Sequence, residues 1–237
     1  MKKILKITFK GIAILLGVVL LAGVILYLVY DKPLPEGTSG SKADALAKDM
    51  LKAVNEDSYK NTRYLEWQMR NGANTYKWDK DTQIARVEWS GNRVLLNLRD
   101  SGKSSVLESD PLVSKSDSTE LVKKALSLFN NDSFWLVAPF KVFDPGTVRK
   151  TSTLADGSVG LLVTYKQGGT TPGDSYLWNL GDNGFPESFR MWVDIIPVGG
   201  LEATWEEWQV MESGVFLPTA HQLGPLHFEM ENVRAYN

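Results

Sequence analysis

The longest feature of the hydropathy pattern is a run of 20 uncharged residues, GIAILLGVVLLAGVILYLVY, between Lys10 and Asp31. At 1.5 Å per residue such a segment forms a helix of ~30 Å, the thickness of a bilayer's hydrocarbon core, so it predicts a transmembrane helix over 11–30. Lys2, Lys3, Lys6 and Lys10 are the only charges before it. The positive-inside rule therefore places 1–10 in the cytoplasm and the remainder in the periplasm, as a single-pass protein of the inner membrane. A cleaved signal peptide is the competing reading. The apolar stretch is too long for one, passes through its only small-residue site at Ala22-Gly23, and ends in Tyr27 and Tyr30, residues suited to a membrane interface.

After the run the pattern changes three times. Residues 31–41, DKPLPEGTSGS, carry prolines, glycines and hydroxyls without an apolar period, which predicts a linker. From Ser41, with Asp44 at capping-box spacing, Ala43, Leu46, Ala47, Met50, Leu51 and Val54 fall on one helical face to about Asn55. From Thr62 the period becomes 2. Leu65, Trp67 and Met69, then Tyr76 and Trp78, then Ala85, Val87 and Trp89, then Val94, Leu96 and Leu98 alternate with polar residues, with turns at Asn71-Gly72 and Ser90-Gly91-Asn92. The spacing of 11 between Trp67, Trp78 and Trp89 is the strand-plus-turn length of a β-meander.

A second helix, capped by Ser116 or Ser118, has Leu121, Val122, Ala125, Leu126 and Phe129 as its apolar side. Further strands are expected at 134–137, 146–151, 158–166, 175–180, 187–194, 203–210, 215–217 and 226–233, separated by Gly, Asn and Asp turns. About eleven or twelve strands with two helices and no βαβ alternation predict a mainly β domain over 42–237. The expected form is a curled antiparallel sheet, an unclosed barrel, with the helices covering one side.

Charge and composition narrow the function. Beyond residue 30 the chain has 22 basic and 28 acidic residues, a net charge of −6, which gives no electrostatic basis for nucleic-acid binding. The absence of cysteine removes disulfides, thiolate metal sites, cysteine nucleophiles and a lipoprotein acyl anchor, and it suits an oxidising compartment. All eight tryptophans lie beyond residue 60 and must fill a core or line a cavity.

Candidate chemistry is sparse. His227, Glu229 and Glu231 would share one face of a regular last strand, but a solvated strand face has the same pattern, so no metal is expected. His221 is separated from His227 by Gly224-Pro225. No nucleophile elbow, P-loop or His-Glu-x-x-His occurs, so neither catalytic residues nor cofactors are expected. Leu65, Trp67, Met69, Trp78, Trp89, Val163, Tyr165, Trp178, Phe189 and Met191 fall on the core-facing side of the sheet. They form either its packed core or the wall of an apolar ligand cavity, as large barrels enclose. Trp192, Trp205 and Trp208 leave sugar stacking as a third use of aromatics.

The helix KADALAKDMLKAVN leading into NTRYLEWQMR, then YKWDKDTQIARVEWSGNRVLLNL, NDSFWLVAP after the second helix, and the late run GFPESFRMWVD together resemble the periplasmic lipoprotein-carrier superfamily of LolA, LolB and the stress sensor RseB. The resemblance covers roughly 42–234. It implies an unclosed barrel with a helical lid over a cavity for lipid chains, with neither cofactor nor catalysis. In the carriers an aromatic-x-x-basic-Pro segment supplies an arginine that holds the lid closed. Here Trp78, Asp79, Lys80 and Asp81 stand there, which makes Lys80 the lid-gating candidate. Lysine lacks arginine's planar fork of donors, and an anchored chain cannot cross the periplasm, so a shuttle is not expected. The expected function is a non-enzymatic, membrane-anchored domain that binds a lipid or lipophilic ligand for local transfer or sensing. The alternatives are an envelope protein-interaction or signalling module with a vestigial cavity, and a glycan-binding protein of the envelope.

Overall fold

The computed structural model describes residues 17–18, 30–108, 118–167 and 171–237. The predicted transmembrane helix lies outside them apart from residues 17, 18 and 30, and among the described residues no helix is long and apolar enough to cross a membrane. The described chain forms helix α1 (Ser41–Ala53), α2 (Glu56–Asn61), strands β1 (Tyr64–Met69), β2 (Asn74–Asp79), β3 (Ile84–Trp89), β4 (Asn92–Asn97) and β5 (Ser105–Glu108), then helix α3 (Ser118–Val137). There follow β6 (Thr147–Thr153), β7 (Val159–Tyr165), β8 (Ser175–Leu180), β9 (Pro186–Trp192), β10 (Leu201–Thr204), β11 (Gln209–Val210), β12 (Phe216–Leu217), β13 (Ala220–Leu223), β14 (Leu226–Glu229) and β15 (Glu231–Tyr236).

The architecture is mainly β, with two open antiparallel sheets in the orders β15-β1-β2-β3-β4-β5 and β14-β13-β10-β9-β8-β7-β6, and a small β11-β12 hairpin. The abutting edge strands β14 and β15 are consecutive in the chain. The one residue between them, Met230, is buried, so the sheets succeed one another around a corner there. Alternation builds the first sheet: Leu65, Trp67, Met69, Tyr76, Trp78, Ala85, Val87, Val94 and Leu96 are all buried, with partly exposed or exposed residues between them. The β1–β2 turn needs three left-handed residues in succession, Arg70, Asn71 and Gly72, at φ 58°, 56° and 76°.

Several elements differ from the expectations. The second helix does not stop near Phe129 but runs to Val137, and a 3-10 turn over Ala138–Lys141 follows, so 134–137 is helix rather than strand. The polar stretch Asn130–Ser133 reads as a break, yet Asp132 and Ser133 are buried within the helix. The Asp132 carboxylate accepts Tyr76 Oη–H at 2.5 Å and Asn74 Nδ2–H at 3.0 Å from β2, and Asn131 Nδ2–H at 2.9 Å. Paired in this way, a polar group can enter the interior without breaking the helix. The expected strand 203–210 is interrupted between β10 and β11, with Glu207 at φ 51°, and 226–233 divides at Met230 between the two sheets. The capping box at Ser41 is not made. Helix α1 starts after Gly40, at φ 138°, and Asp44 instead accepts Arg149 Nε–H at 2.7 Å.

The segment 31–41 is not a free linker. Thr38 and Thr151 of β6 exchange two backbone hydrogen bonds at 2.9 Å, and Ser152 Oγ donates to the Glu36 carbonyl at 2.6 Å. At its start, Asp31 and Lys32 are bonded to Gly199.

Helix α3 lies in the concavity between the sheets. Phe129 meets Trp78 edge-on at 5.4 Å on the first sheet, and Phe134 and Trp135 meet Tyr176 at 4.7 Å and Phe189 at 5.7 Å on the second. The replacement Tyr76→Phe leaves the Asp132 carboxylate one donor short while keeping the ring stacked on Trp67, and is expected to cost about 1–3 kcal/mol. Trp67→Ala, in contrast, opens a core void and is expected to cost ~3–5 kcal/mol. Chemical denaturation followed by tryptophan fluorescence measures both, and a neutral Tyr76→Phe would show that the buried carboxylate does not fix α3.

Candidate functional site

Helix α3 does not fill the space between the sheets completely. Beside it lies a cavity of about 1050 Å³. The first sheet contributes Met69 and Trp78 to its wall, α3 contributes Leu126, Phe129, Phe134 and Trp135, and the second sheet contributes Tyr165, Tyr176, Phe189, Met191 and Phe228. Phe134 and Trp135 are only half-buried although they lie between two sheets, because the cavity leaves part of each ring unpacked. The volume is at the upper end of the ~300–1,000 Å³ usual for small-molecule sites.

Polar groups gather at one end of this cavity. Asp174 Oδ2 accepts Thr171 Oγ1–H at 2.5 Å and its Oδ1 accepts the Asp194 N–H at 3.2 Å, while burial pushes its carboxyl above the usual carboxylate range. Lys141 pairs with Asp144 at 2.9 Å, and Gln167 completes this side. Arg70, Asn130 and Asn131 border the cavity elsewhere. The chemistry this offers is binding: an open-mouthed, mostly apolar cavity with hydrogen-bonding groups on its lining suits an amphiphile.

Of the residues singled out from sequence, Met69, Trp78, Tyr165, Phe189 and Met191 lie on the cavity wall. Leu65, Trp67 and Trp178 do not. They are packed in the core, with Trp67 stacked on Tyr76 at 4.7 Å and Trp178 against Phe189 and Trp205, both at 5.1 Å. Trp89 borders a shallow depression with Glu88, Arg93 and Glu108 at the end of the first sheet. Phe129 is read from sequence only as part of the second helix's apolar side, and Phe134 and Trp135 fall in the strand expected at 134–137; the signal for these two is the apolar helical period continuing past Asn131.

Lys80 is not on the cavity wall. Its Nζ donates to the Tyr59 carbonyl and stands 3.8 Å from the centre of the Tyr59 ring, so it joins the β2–β3 turn to α2. Burial lowers its pKa to about 8. Tyr59 is stacked on Phe140 at 4.0 Å, so the contact is continuous with the turn that ends α3.

The other polar candidates are dispersed. His227 Nε2 stands 3.5 Å from Glu229, but Glu231 belongs to the next strand in the other sheet, and among the described residues no group of three or more His, Asp or Glu could hold a metal. Trp205 is buried in the core and the Trp192 indole N–H is bonded to the Lys32 carbonyl, so they offer no open stacking platform with Trp208. No protein-family model, curated protein or solved structure matches this chain.

His221, fully buried behind the cavity wall, is surrounded by Trp135, Trp205 and Phe228. A carbonyl can only accept, so its bond to the Thr204 oxygen at 2.9 Å puts the proton on Nδ1 and leaves Nε2 without a partner. Burial lowers its pKa from 6.5 to about 4. The unfolded chain therefore takes up a proton between these values that the folded chain refuses. The neutral-histidine contribution is complete above pH 6.5 and is lost as pH falls through about 4, a change of roughly 3 kcal/mol at about 1.36 kcal/mol per pH unit. Chemical denaturation at pH 7 and pH 4 is expected to show a loss larger by that order in the native chain than in His221→Phe. Equal losses would remove this account.

Proposed function

We propose that this protein is a non-enzymatic, membrane-anchored domain that holds a lipid or other lipophilic molecule in the cavity between its two sheets, for local transfer or sensing at the periplasmic face of the inner membrane. The observation that carries the reading is the cavity of about 1050 Å³ whose walls are mostly aromatic and aliphatic side chains from both sheets and α3. Apolar walls favour a chain that leaves water on entering, and the cluster of Asp174, Thr171 and Gln167 on the lining favours a ligand that also carries a polar group. The anchor is supported by the uninterrupted apolar run 11–30 with its four preceding lysines. The resemblance of the chain's segments to the lipoprotein carriers supports the same reading, and an anchored domain restricts it to lipids within reach of one membrane.

Mass spectrometry of the purified full-length chain is expected to find a stoichiometric lipid. Filling the space should expel it, so Leu126→Trp on α3 and Val193→Trp after β9 are each expected to abolish uptake of a fluorescent fatty-acid probe while the thermal midpoint moves by only a few degrees. A native chain without bound lipid, or undiminished probe uptake in both filled variants, would refute the proposal.

A further inference from the structure

The start of segment 31–38 fixes where the domain lies relative to the end of the apolar run. Asp31 Oδ1 accepts the Gly199 N–H at 2.8 Å, and the Lys32 N–H donates to the Gly199 carbonyl at 2.9 Å. The Trp192 indole N–H donates to the Lys32 carbonyl at 2.7 Å. Because Trp192 follows the wall residue Met191 in β9, its side chain points to the outer face of the sheet, and Lys32 is held there. The approach is close enough to require glycine: a Cβ on Gly199 would stand 2.7 Å from the Lys32 oxygen and 2.6 Å from the Trp192 ring. The two residues that follow the apolar run are thus bonded to the 193–200 loop rather than spaced from it.

That loop is also part of the cavity's rim. Ile195 and Ile196 line the cavity, and Ile195 is 68% exposed. The pairings Ser175↔Trp192, Leu201↔Met191 and Ala203↔Leu223 bring the Thr171–Asp174 turn, the 193–200 loop and the Gly224-Pro225 hairpin tip to one end of the second sheet. Leu226, at that tip, lines the cavity as well and is 63% exposed. Two large aliphatic side chains at the mouth of an apolar cavity, beside the point where the chain enters its apolar run, form a surface suited to the lipid interface.

We propose that this rim rests on the outer surface of the bilayer that residues 11–30 cross, with Ile195 and Leu226 in its interfacial layer and the cavity opening onto the lipids. The inference rests on the reading of 11–30 as a membrane span. It adds to it an orientation and a source for the ligand: the cavity loads from its own membrane, without release of the lipid into water. Tyr30 immediately precedes Asp31, so no length of free chain separates the end of the span from the rim.

The cysteine-free chain allows a direct test. Ile195→Cys, Leu226→Cys and, in the turn at the far end of the same sheet, Asp182→Cys are each labelled with an environment-sensitive dye. The full-length proteins are reconstituted into phosphatidylcholine–phosphatidylethanolamine vesicles with or without spin-labelled lipid. The quencher lipid is expected to remove most of the emission from positions 195 and 226 and to leave position 182 unchanged. Adding Ile195→Asp to the chain labelled at 226 is expected to restore its emission. If the proteins float with the vesicles at high salt but positions 195 and 226 are quenched no more than 182, the docking is refuted while the span stands. Failure to float refutes the span, and the docking with it.

Discussion

Open sheets expose apolar faces that must be covered, and here α3 lies against the first sheet and reaches the second while α1 packs on β6 and β7. The position of α3 depends on the Asp132 carboxylate, which has no exposed surface and is held by Tyr76, Asn74 and Asn131. A buried carboxyl group left without partners is costly, so its hydrogen bonds to β2 favour this placement of α3. From there Phe129 meets the first sheet and Phe134 and Trp135 the second. The cavity is what this placement leaves over.

The strands were legible where one face is buried and the other wet. In β1, β2 and β4 the strict alternation of buried and partly exposed residues, which β3 follows as far as Val87, gives period, turns and register directly from the sequence. Legibility failed where a local pattern was overridden from a distance. Asn130–Ser133 looks like a helix end because the partners of Asp132 lie 56 and 58 residues away in β2. The candidate site was half legible for a related reason. Parity along a strand says which face a side chain is on but not how deep it lies. Trp67 and Trp78 have equivalent parity in neighbouring strands, yet Trp67 is sealed under Tyr76 and Phe129 while Trp78 reaches the cavity.

Composition misled most at 31–41. Prolines, glycines and hydroxyls are the usual content of a flexible connection, and they also let a chain lie flat on a sheet. The close contacts of Gly37 with Thr151 and of Gly199 with Lys32 leave no room for a side chain, so these glycines serve packing rather than freedom. The mechanical consequence is large. A free linker of that length would let the domain face any direction, whereas here the chain is held against the second sheet from Asp31 and Lys32 onward.

The energetics of empty space bear on what the cavity is for. The cavity of about 1050 Å³ has an open mouth, so solvent reaches it. The space is therefore filled, by water in the free protein or by a ligand. Water gains little against the rings of Phe134, Trp135, Phe189 and Phe228, whereas it is well placed beside Asp174, Thr171 and Gln167 at the edge. An amphiphile replaces the poorly bonded water and leaves the rest in place, so the same uneven lining that makes the empty state tolerable gives an acyl chain its advantage over bulk water.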